Sequence, residues 1–142
     1  MTDTSGVAQE DVELVRRLFE STNRRDFADV MACYGDDVVL KLRDIDAAAL
    51  PPGALGKDAV GTWFGDWFHT FGTEYHFEVH DVIDLGAGQV LVDATHNVRG
   101  RTAGVPVSAR AGWLYLVRAG EIVRCDAYPS PEAAKAAAGL KT

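Results

Sequence analysis

The amino-acid sequence predicts an α+β domain in which helices pack on a strongly curved, mostly antiparallel sheet. Helical spacing of apolar residues is confined to the first half of the chain and to a short C-terminal segment. Between them, four segments with strand-like alternation follow one another, separated by short turns that contain glycine. Helices gathered before a run of antiparallel strands are typical of the α+β class.

Composition limits the partners that this chain can have. With 142 residues it is expected to form one domain, residues 1–142, that buries roughly two thirds of its unfolded surface. The net charge of −7 argues against nucleic acid or an anionic membrane as a partner, because both are bound by clustered Lys and Arg. No secretory signal or membrane-spanning apolar stretch is recognised, so a cytoplasmic location is expected.

The first half of the chain is predicted to be mainly helical. Apolar residues at three- and four-residue spacing predict an amphipathic helix over Asp11–Asn23. Asp26 is a plausible N-cap for a second, short helix, which Gly35-Asp36-Asp37 ends. Val38–Leu42 is predicted to be a short strand, and the prolines and glycines of Arg43–Gly56 predict irregular structure.

The second half is predicted to supply the sheet. A helix with a wide aromatic stripe comes first, followed by four strands and an alanine-rich terminal helix. These elements are Lys57–Phe71, Thr73–Leu85, Gln89–Arg101, Ser108–Val117, Glu121–Tyr128 and Pro131–Ala138.

His96 is the only polar side chain on the apolar face predicted for the strand Gln89–Arg101. An imidazole in an apolar concavity, with a pKa near neutrality, could transfer a proton to or from a bound molecule. A single histidine on such a face is also commonly a core residue that is bonded to a backbone carbonyl or a tyrosine. The sequence leaves both interpretations open.

Asp126 is the second candidate for chemistry, as a partner of His96. It alternates with Arg124 and Tyr128 on the last strand, and a single β-bulge would turn this set toward the hollow side of the sheet. Without a bulge, Cys125 and Ala127 would point inward and Asp126 would pair with Arg124 on the surface.

Four aromatic side chains are predicted to wall an apolar pocket, and core packing explains them equally well: Trp63, Trp67, Tyr115 and Trp113. Metal binding is not expected. His76 and His80 would lie about 13 Å apart on a strand, too far to share one ion, and neither Cys33 nor Cys125 has a ligand at metal-binding spacing. Both cysteines are expected to be reduced core residues.

The element order resembles the nuclear-transport-factor-2-like superfamily, which includes ketosteroid isomerases, limonene-type epoxide hydrolases and SnoaL-type polyketide cyclases. The resemblance rests on Asn23-Arg24-Arg25-Asp26-Phe27, on Tyr34-Gly35-Asp36-Asp37-Val38 and on the closing segment from Tyr128 to Leu140. It implies a cystatin-like cone with an apolar cavity, and a homodimer formed through the outer face of the sheet.

The same resemblance places apolar residues where relatives carry catalytic groups. The catalytic base, the oxyanion tyrosine and the protonated aspartate of the ketosteroid isomerases align near Leu42, Leu18 and Gly112, respectively. The three catalytic positions of the epoxide hydrolases align with Ala94, His96 and Ala127, so only His96 keeps a titratable side chain.

The sequence therefore predicts a protein that binds a hydrophobic small molecule in an apolar cavity. It would catalyse acid/base isomerisation, cyclisation or hydration without a cofactor or metal, through His96 and Asp126. The alternative is a module of the same fold that binds a small ligand or a protein partner without turnover.

Overall fold

The computed structural model describes residues 4–43, 52–71, 75–99 and 106–139. Four helices and six strands lie within these ranges. They are, in chain order, α1 (Thr4–Arg24), α2 (Phe27–Ala32), β1 (Tyr34–Leu42), β2 (Gly53–Leu55), α3 (Lys57–Phe71), β3 (Tyr75–Gly86), β4 (Gln89–Arg99), β5 (Pro106–Arg118), β6 (Glu121–Tyr128) and α4 (Pro131–Ala137).

The six strands form one sheet in the order β2-β1-β6-β5-β4-β3. Every neighbouring pair is antiparallel except β1 and β6, which run parallel. The predicted α+β class with a mostly antiparallel sheet is confirmed.

The hairpin of β4 and β5 sets which side chains face the helices. Its register aligns Val90 with Tyr115, Val92 with Trp113 and His96 with Ala109. Because side chains alternate between the faces of a strand, these residues share one face with the other inward positions. Val90 and Val92 are fully buried there.

Helices α1 and α3 cover this inner face. Val15, Leu18 and Phe19 of α1 are buried in the same cluster as Val60 and Trp67 of α3. The stripe of apolar residues on each helix therefore forms the core together with the inner face of the sheet.

Several predicted elements keep their bounds. Helix α3 spans Lys57–Phe71 and strand β6 spans Glu121–Tyr128, as predicted. The Asp26 side chain accepts a hydrogen bond from the amide of Asp29, which confirms it as the N-cap of α2. The turn predicted over residues 102–106 lies outside the described ranges except at Pro106, where β5 begins.

The largest differences from the predictions concern α1, β1 and β2, whereas β5 is extended only at its two ends, to Pro106–Arg118. Helix α1 begins at Thr4 instead of Asp11. Strand β1 begins at Tyr34, which pairs with Ile122 of β6, so the short second helix ends earlier than predicted. Gly53–Leu55 is a strand instead of irregular chain. At Gly53 a Cβ atom would lie 2.4 Å from the Leu40 carbonyl oxygen, so glycine permits the close pairing with β1.

Helix α4 packs on the outer face of the sheet over Gly112 of β5. A Cβ atom at Gly112 would lie 2.7 Å from the Ala134 Cβ and 2.9 Å from the Pro131 Cα. We expect Gly112→Ala to lower the free energy of unfolding by about 1–3 kcal/mol, because such overpacking must displace the helix. Urea denaturation would measure the change.

Gly65→Ala is the matched control for this substitution. Gly65 lies in the exposed interior of α3, and a Cβ atom there meets nothing within 4 Å. The control is expected to gain about 0.5–1 kcal/mol from helix propensity. Equal effects of the two substitutions would contradict the tight packing of α4.

Candidate functional site

A cavity of about 430 Å³ lies between α1, α3 and the inner face of the sheet. Its size falls within the range typical of small-molecule sites. The residues that line it are Leu18, Phe19, Thr22, Tyr34, Leu40, Leu42, Trp63, Phe64, Trp67, Phe77, His96, Ala109, Arg110, Ala111, Trp113, Tyr115, Cys125, Ala127 and Pro129.

The lining is almost entirely apolar and carries little charge. Among the described residues, no Asp, Glu or Lys lines the cavity, and Arg110 is the single cation. The Arg110 side chain is 58% exposed, and its guanidinium binds both carboxylate oxygens of Asp93, with Nε–Oδ1 at 2.8 Å. The interior therefore suits a neutral ligand, since a buried ion would lack a counter-charge there.

His96 lies on the cavity wall in an aromatic cluster. It is directly opposite Phe77 in the pairing of β3 and β4, and the two rings stack with centroids 4.8 Å apart. The Trp67 indole stacks on the same imidazole at 5.0 Å. These contacts fix the ring and remove water from it.

The imidazole is held neutral and its Nε2 atom lacks a hydrogen bond. Within the described ranges, His96 Nε2 is the single buried side-chain nitrogen or oxygen without a partner. Burial lowers the pKa of His96 from 6.5 to about 4, because the charged form loses its hydration. A buried polar atom left unbonded costs about 1–3 kcal/mol, which a ligand with a suitable polar group would recover.

Asp126 lies on the opposite face of β6 and does not line the cavity. A bulge is present, but it falls at Val123, because β5 pairs Leu116 with Arg124 and Val117 with Ile122. Ile122 therefore turns inward while Asp126 remains outside. The structure does not bring Asp126 to His96, contrary to the predicted partnership.

The Asp126 carboxylate instead joins two arginines. Arg43 Nε lies 2.9 Å from Oδ1 and Arg124 Nε lies 2.7 Å from Oδ2. Burial raises the pKa of Asp126, but the hydrogen bonds from Arg124 and Arg43 outweigh it, so the pKa is lowered overall. This carboxylate ties the end of β1 to β6.

We expect Asp126→Asn to reduce stability and leave binding in the cavity unchanged. The loss should be about 1–3 kcal/mol, because two guanidiniums lose a buried acceptor charge. Chemical denaturation measures the first effect and ligand titration the second. Weaker binding at unaltered stability would instead make Asp126 part of the site.

The four aromatic residues predicted to wall a pocket all line the cavity: Trp63, Trp67, Trp113 and Tyr115. They are also core residues, since the Phe19 ring contacts both Trp113 and Tyr115 edge to face. The two interpretations left open by the sequence are thus compatible, because the core itself encloses the cavity.

A tyrosine and a cysteine are among the lining residues that had no role in the sequence-based site. Tyr34 belongs to the Tyr34-Gly35-Asp36-Asp37-Val38 motif, which indicated only the fold, and its side chain is 3% exposed. Cys125 is a buried free thiol, and burial raises its pKa to about 12. A thiol with this pKa is not a nucleophile at neutral pH.

Asn23 is a further residue that sequence reasoning missed. Its side-chain amide donates to the Phe77 carbonyl at 2.9 Å and accepts from the Phe77 amide at 2.8 Å. Strand β3 is an edge strand, so this double hydrogen bond replaces a neighbouring strand. It joins the end of α1 to the residue that stacks on His96.

The remaining histidines and the cysteines do not form a metal centre in the described ranges. His69, His76 and His80 are exposed, and His80 Nε2 hydrogen-bonds the Thr95 hydroxyl. Cys33 and Cys125 are free and buried, as expected of core residues. No group of three potential metal ligands occurs among the described residues.

Residues 15–125 match the SnoaL-like domain family, and the chain belongs to this family. The match contains every residue discussed above that lines the cavity except Ala127 and Pro129. No curated protein sequence matches the chain.

Solved structures share the fold at low sequence identity. An NTF2-like protein of unknown function from Burkholderia pseudomallei K96243 superposes with a TM-score of 0.75 and 20% identity, covering 89% of this chain and 95% of that one. A putative polyketide cyclase from Xanthomonas campestris superposes with a TM-score of 0.70 and 19% identity, covering 90% of this chain and 96% of that one. A limonene-epoxide-hydrolase-like (LEH-like) epoxide hydrolase from M. tuberculosis superposes with a TM-score of 0.66 and 20% identity, covering 84% of this chain and 82% of that one.

These comparisons confirm the NTF2-like, cystatin-like fold that the sequence motifs indicated. Two of the positions aligned with catalytic residues of ketosteroid isomerases, Leu18 and Leu42, line the cavity as hydrocarbon. Gly112 lies beneath α4 on the outer face. Among the described helices, none is long and apolar enough to cross a membrane.

Proposed function

We propose that this protein binds a neutral, largely apolar small molecule in the cavity, and that the neutral imidazole of His96 hydrogen-bonds a polar group of that molecule. The observation that carries this proposal is the unpartnered Nε2 of His96 in an otherwise apolar wall. A ligand that bonds this nitrogen would recover the energetic cost of leaving it without a partner.

A second function is acid/base catalysis at the same imidazole. Its unprotonated nitrogen could accept a proton from a bound substrate during an isomerisation, cyclisation or hydration that needs no cofactor. A pKa of about 4 makes His96 a weak base at neutral pH, and among the described residues no carboxylate lines the cavity to assist it. Binding without turnover is therefore the function that the geometry supports best.

Tryptophan fluorescence offers a direct test of binding. All three tryptophans of the chain line the cavity, so their emission reports what enters it. Titration with 4-hydroxybiphenyl is expected to change this emission saturably, and His96→Phe should weaken binding of 4-hydroxybiphenyl but not of biphenyl. Saturable turnover of any substrate that His96→Ala leaves intact would exclude His96 as the catalytic group.

A variant whose cavity is filled by a larger side chain tests whether the probe binds in the cavity. Ala111 lines the cavity, whereas Ala136 is exposed on α4. Ala111→Phe should abolish the fluorescence change, and Ala136→Phe should preserve it. Undiminished binding in the plugged variant would mean that the probe occupies another surface.

Assembly and location remain proposals that rest on the resemblance. We infer a homodimer formed through the outer face of the sheet, where Leu114 and Leu116 are half-buried, in a cytoplasmic protein. Sedimentation velocity at micromolar concentration should give twice the chain mass of 15.3 kDa. A species of 15.3 kDa at all concentrations would contradict the dimer.

A further inference from the structure

Helix α1 ends in a Schellman motif, which restrains the backbone that carries Asn23. The amide of Asp26 donates to the Ser21 carbonyl at 2.9 Å. The amide of Arg25 donates to the Thr22 carbonyl at 3.1 Å, the second hydrogen bond of this motif. Arg25 has a φ of 60°, the left-handed conformation that the motif requires. Asn23 therefore lies in a helical turn whose end is fixed.

From this position Asn23 reaches strand β3, 54 residues further along the chain. Its side-chain amide bonds both the carbonyl and the amide of Phe77, at 2.9 and 2.8 Å. The N–H and C=O of one strand residue point to the same side, so both groups of Phe77 face the free edge of β3 and not β4. Phe77 and His96 therefore form a non-hydrogen-bonded pair, the kind in which opposite side chains lie closest.

The Phe77 ring reaches His96 because of this pairing. The two rings stack with centroids 4.8 Å apart and an angle of 11° between their planes. The register of β3 against β4 is regular over Tyr75–Val79, and a bulge interrupts it beyond Val79. This segment has a neighbouring strand on one side only. Parts of a structure with few restraints open locally before the core does, so the position of the Phe77 ring depends on what holds the free edge.

We propose that Asn23 is a positioning residue of the ligand site: it holds β3 at Phe77 and so keeps the Phe77 ring on His96 and water away from the imidazole. Asn23 itself does not line the cavity. If water bonded Nε2, a ligand hydroxyl would only replace one hydrogen bond by another. The inference rests on the proposed binding function and adds a residue that sets its selectivity for a ligand with a polar group.

Asn23→Leu tests this role without any ligand. It removes both hydrogen bonds at a similar side-chain size, so water should reach the imidazole and the pKa of His96 should rise from about 4 toward 6.5. An NMR titration of the His96 ring protons measures this shift. Amide hydrogen exchange gives a second readout, because the Phe77 amide should lose the protection that its bond to Asn23 provides.

Asn23→Gln is the conservative variant. It keeps both hydrogen-bonding groups on a side chain that is one methylene longer, so the clamp should be weakened and not lost. The pKa of His96 should lie between the values in the wild type and in Asn23→Leu. If Asn23→Leu does not fold, Asn23→Gln alone decides, and an unshifted His96 together with an unchanged Phe77 amide would count against the proposal.

Gly112→Ala separates positioning from a general loss of stability. It overpacks α4 on the outer face of the sheet, so it destabilises the fold without changing the contact between Asn23 and Phe77. In this variant the pKa of His96 should stay at about 4, and the Phe77 amide should stay protected.

The effect on selectivity is measured by tryptophan-fluorescence titrations with biphenyl and 4-hydroxybiphenyl. In the wild type the hydroxyl should tighten binding about fivefold, as expected for one additional hydrogen bond. Gly112→Ala should keep this preference. Asn23→Leu should still bind biphenyl and should lose most of the preference for the phenol.

The outcomes separate the role of Asn23 from the binding function. The positioning role is wrong if Asn23→Leu leaves the pKa of His96 unchanged, if Gly112→Ala raises it equally, or if Asn23→Leu retains the fivefold preference. In each of these cases saturable binding of both probes to the wild type would still support the binding function. If the pKa rises in Asn23→Leu alone while neither probe binds the wild type, Asn23 does position the imidazole and the binding function fails.

Discussion

Acidification from pH 7 to pH 4 is expected to lower the free energy of unfolding by about 3 kcal/mol through His96 alone. The pKa of His96 is about 4 in the folded chain, against 6.5 for a histidine that is exposed to water. Between these values the unfolded chain binds a proton that the folded chain excludes, so stability falls as the pH falls. Each pH unit in this window contributes about 1.4 kcal/mol.

The acid effect of His96 is separable from that of the carboxylates. Asp29, Asp93 and Asp126 all have lowered pKa values because arginines bind them. Their stabilising contribution is lost as the pH falls below about 4. Urea denaturation at intervals between pH 7 and pH 4 would therefore isolate the histidine.

Replacement of the ring gives the control for this titration. His96→Phe keeps an aromatic side chain in the stack and removes both the proton and the unbonded nitrogen. It should abolish the contribution of this residue to the pH dependence of the free energy of unfolding between pH 6.5 and 4. It should also raise the free energy of unfolding at pH 7 by about 1–3 kcal/mol. His76→Phe, at an exposed position of β3, should keep the wild-type dependence. An unchanged profile in His96→Phe would show that the imidazole is already bonded or hydrated.

Trp67→Ala is expected to have the largest effect on stability of any substitution in the cavity wall. Trp67 is 8% exposed and stacks on both His96 and Phe77. Removal of so large a buried ring typically costs about 3–5 kcal/mol. Thermal or urea denaturation would measure the loss.

The Trp67→Ala variant should also raise the pKa of His96. The opened wall would admit water to the imidazole, so its pKa should rise from about 4 toward 6.5. An NMR titration of the His96 ring protons would follow it. Trp63→Ala offers a comparison, because Trp63 stacks edge to face on Phe64. A large shift in Trp63→Ala with none in Trp67→Ala would contradict burial by Trp67 as the cause.

Local patterns in the sequence predicted the regular elements well. The bounds of α3 and β6 follow from apolar spacing and from turn residues that lie within or beside each segment. The inward position of His96 follows in the same way, because the alternation in β4 is unbroken around it.

Elements that depend on distant partners were not predictable. Gly35-Asp36-Asp37 has the composition of a break, yet the strand begins at Tyr34 because it pairs with Ile122 of β6. Gly53 is typical of a loop, and only its contact with Leu40 shows why a short strand forms there. In both cases tertiary pairing overrides local propensity.

The position of a bulge explains why the prediction that Asp126 faces the cavity was wrong. Alternation shows which residues share a face only as long as the register is regular, and one inserted residue reverses every position beyond it. The bulge at Val123 leaves Asp126 outside, and another between Val79 and Asp81 turns Val82 inward beside Val92. Single-sequence patterns cannot locate such insertions.

The structure suggests a common physical basis for these predictions. Stacking by Phe77 and Trp67 keeps His96 neutral and leaves its Nε2 atom without a hydrogen bond in a hydrocarbon wall, and the two hydrogen bonds with Asn23 hold Phe77 in place. That arrangement lowers the stability of the free protein. It also lets an uncharged ligand recover the cost by bonding the imidazole.

The most direct test is a ¹⁵N NMR titration of the His96 side chain with 4-hydroxybiphenyl at pH 7. The Nε2 resonance should move as the probe binds and saturate together with the tryptophan fluorescence. Throughout, both ring nitrogens should keep the shifts of a neutral imidazole. Saturation of the fluorescence with no movement of Nε2, or the appearance of a protonated imidazole, would contradict the role assigned to His96.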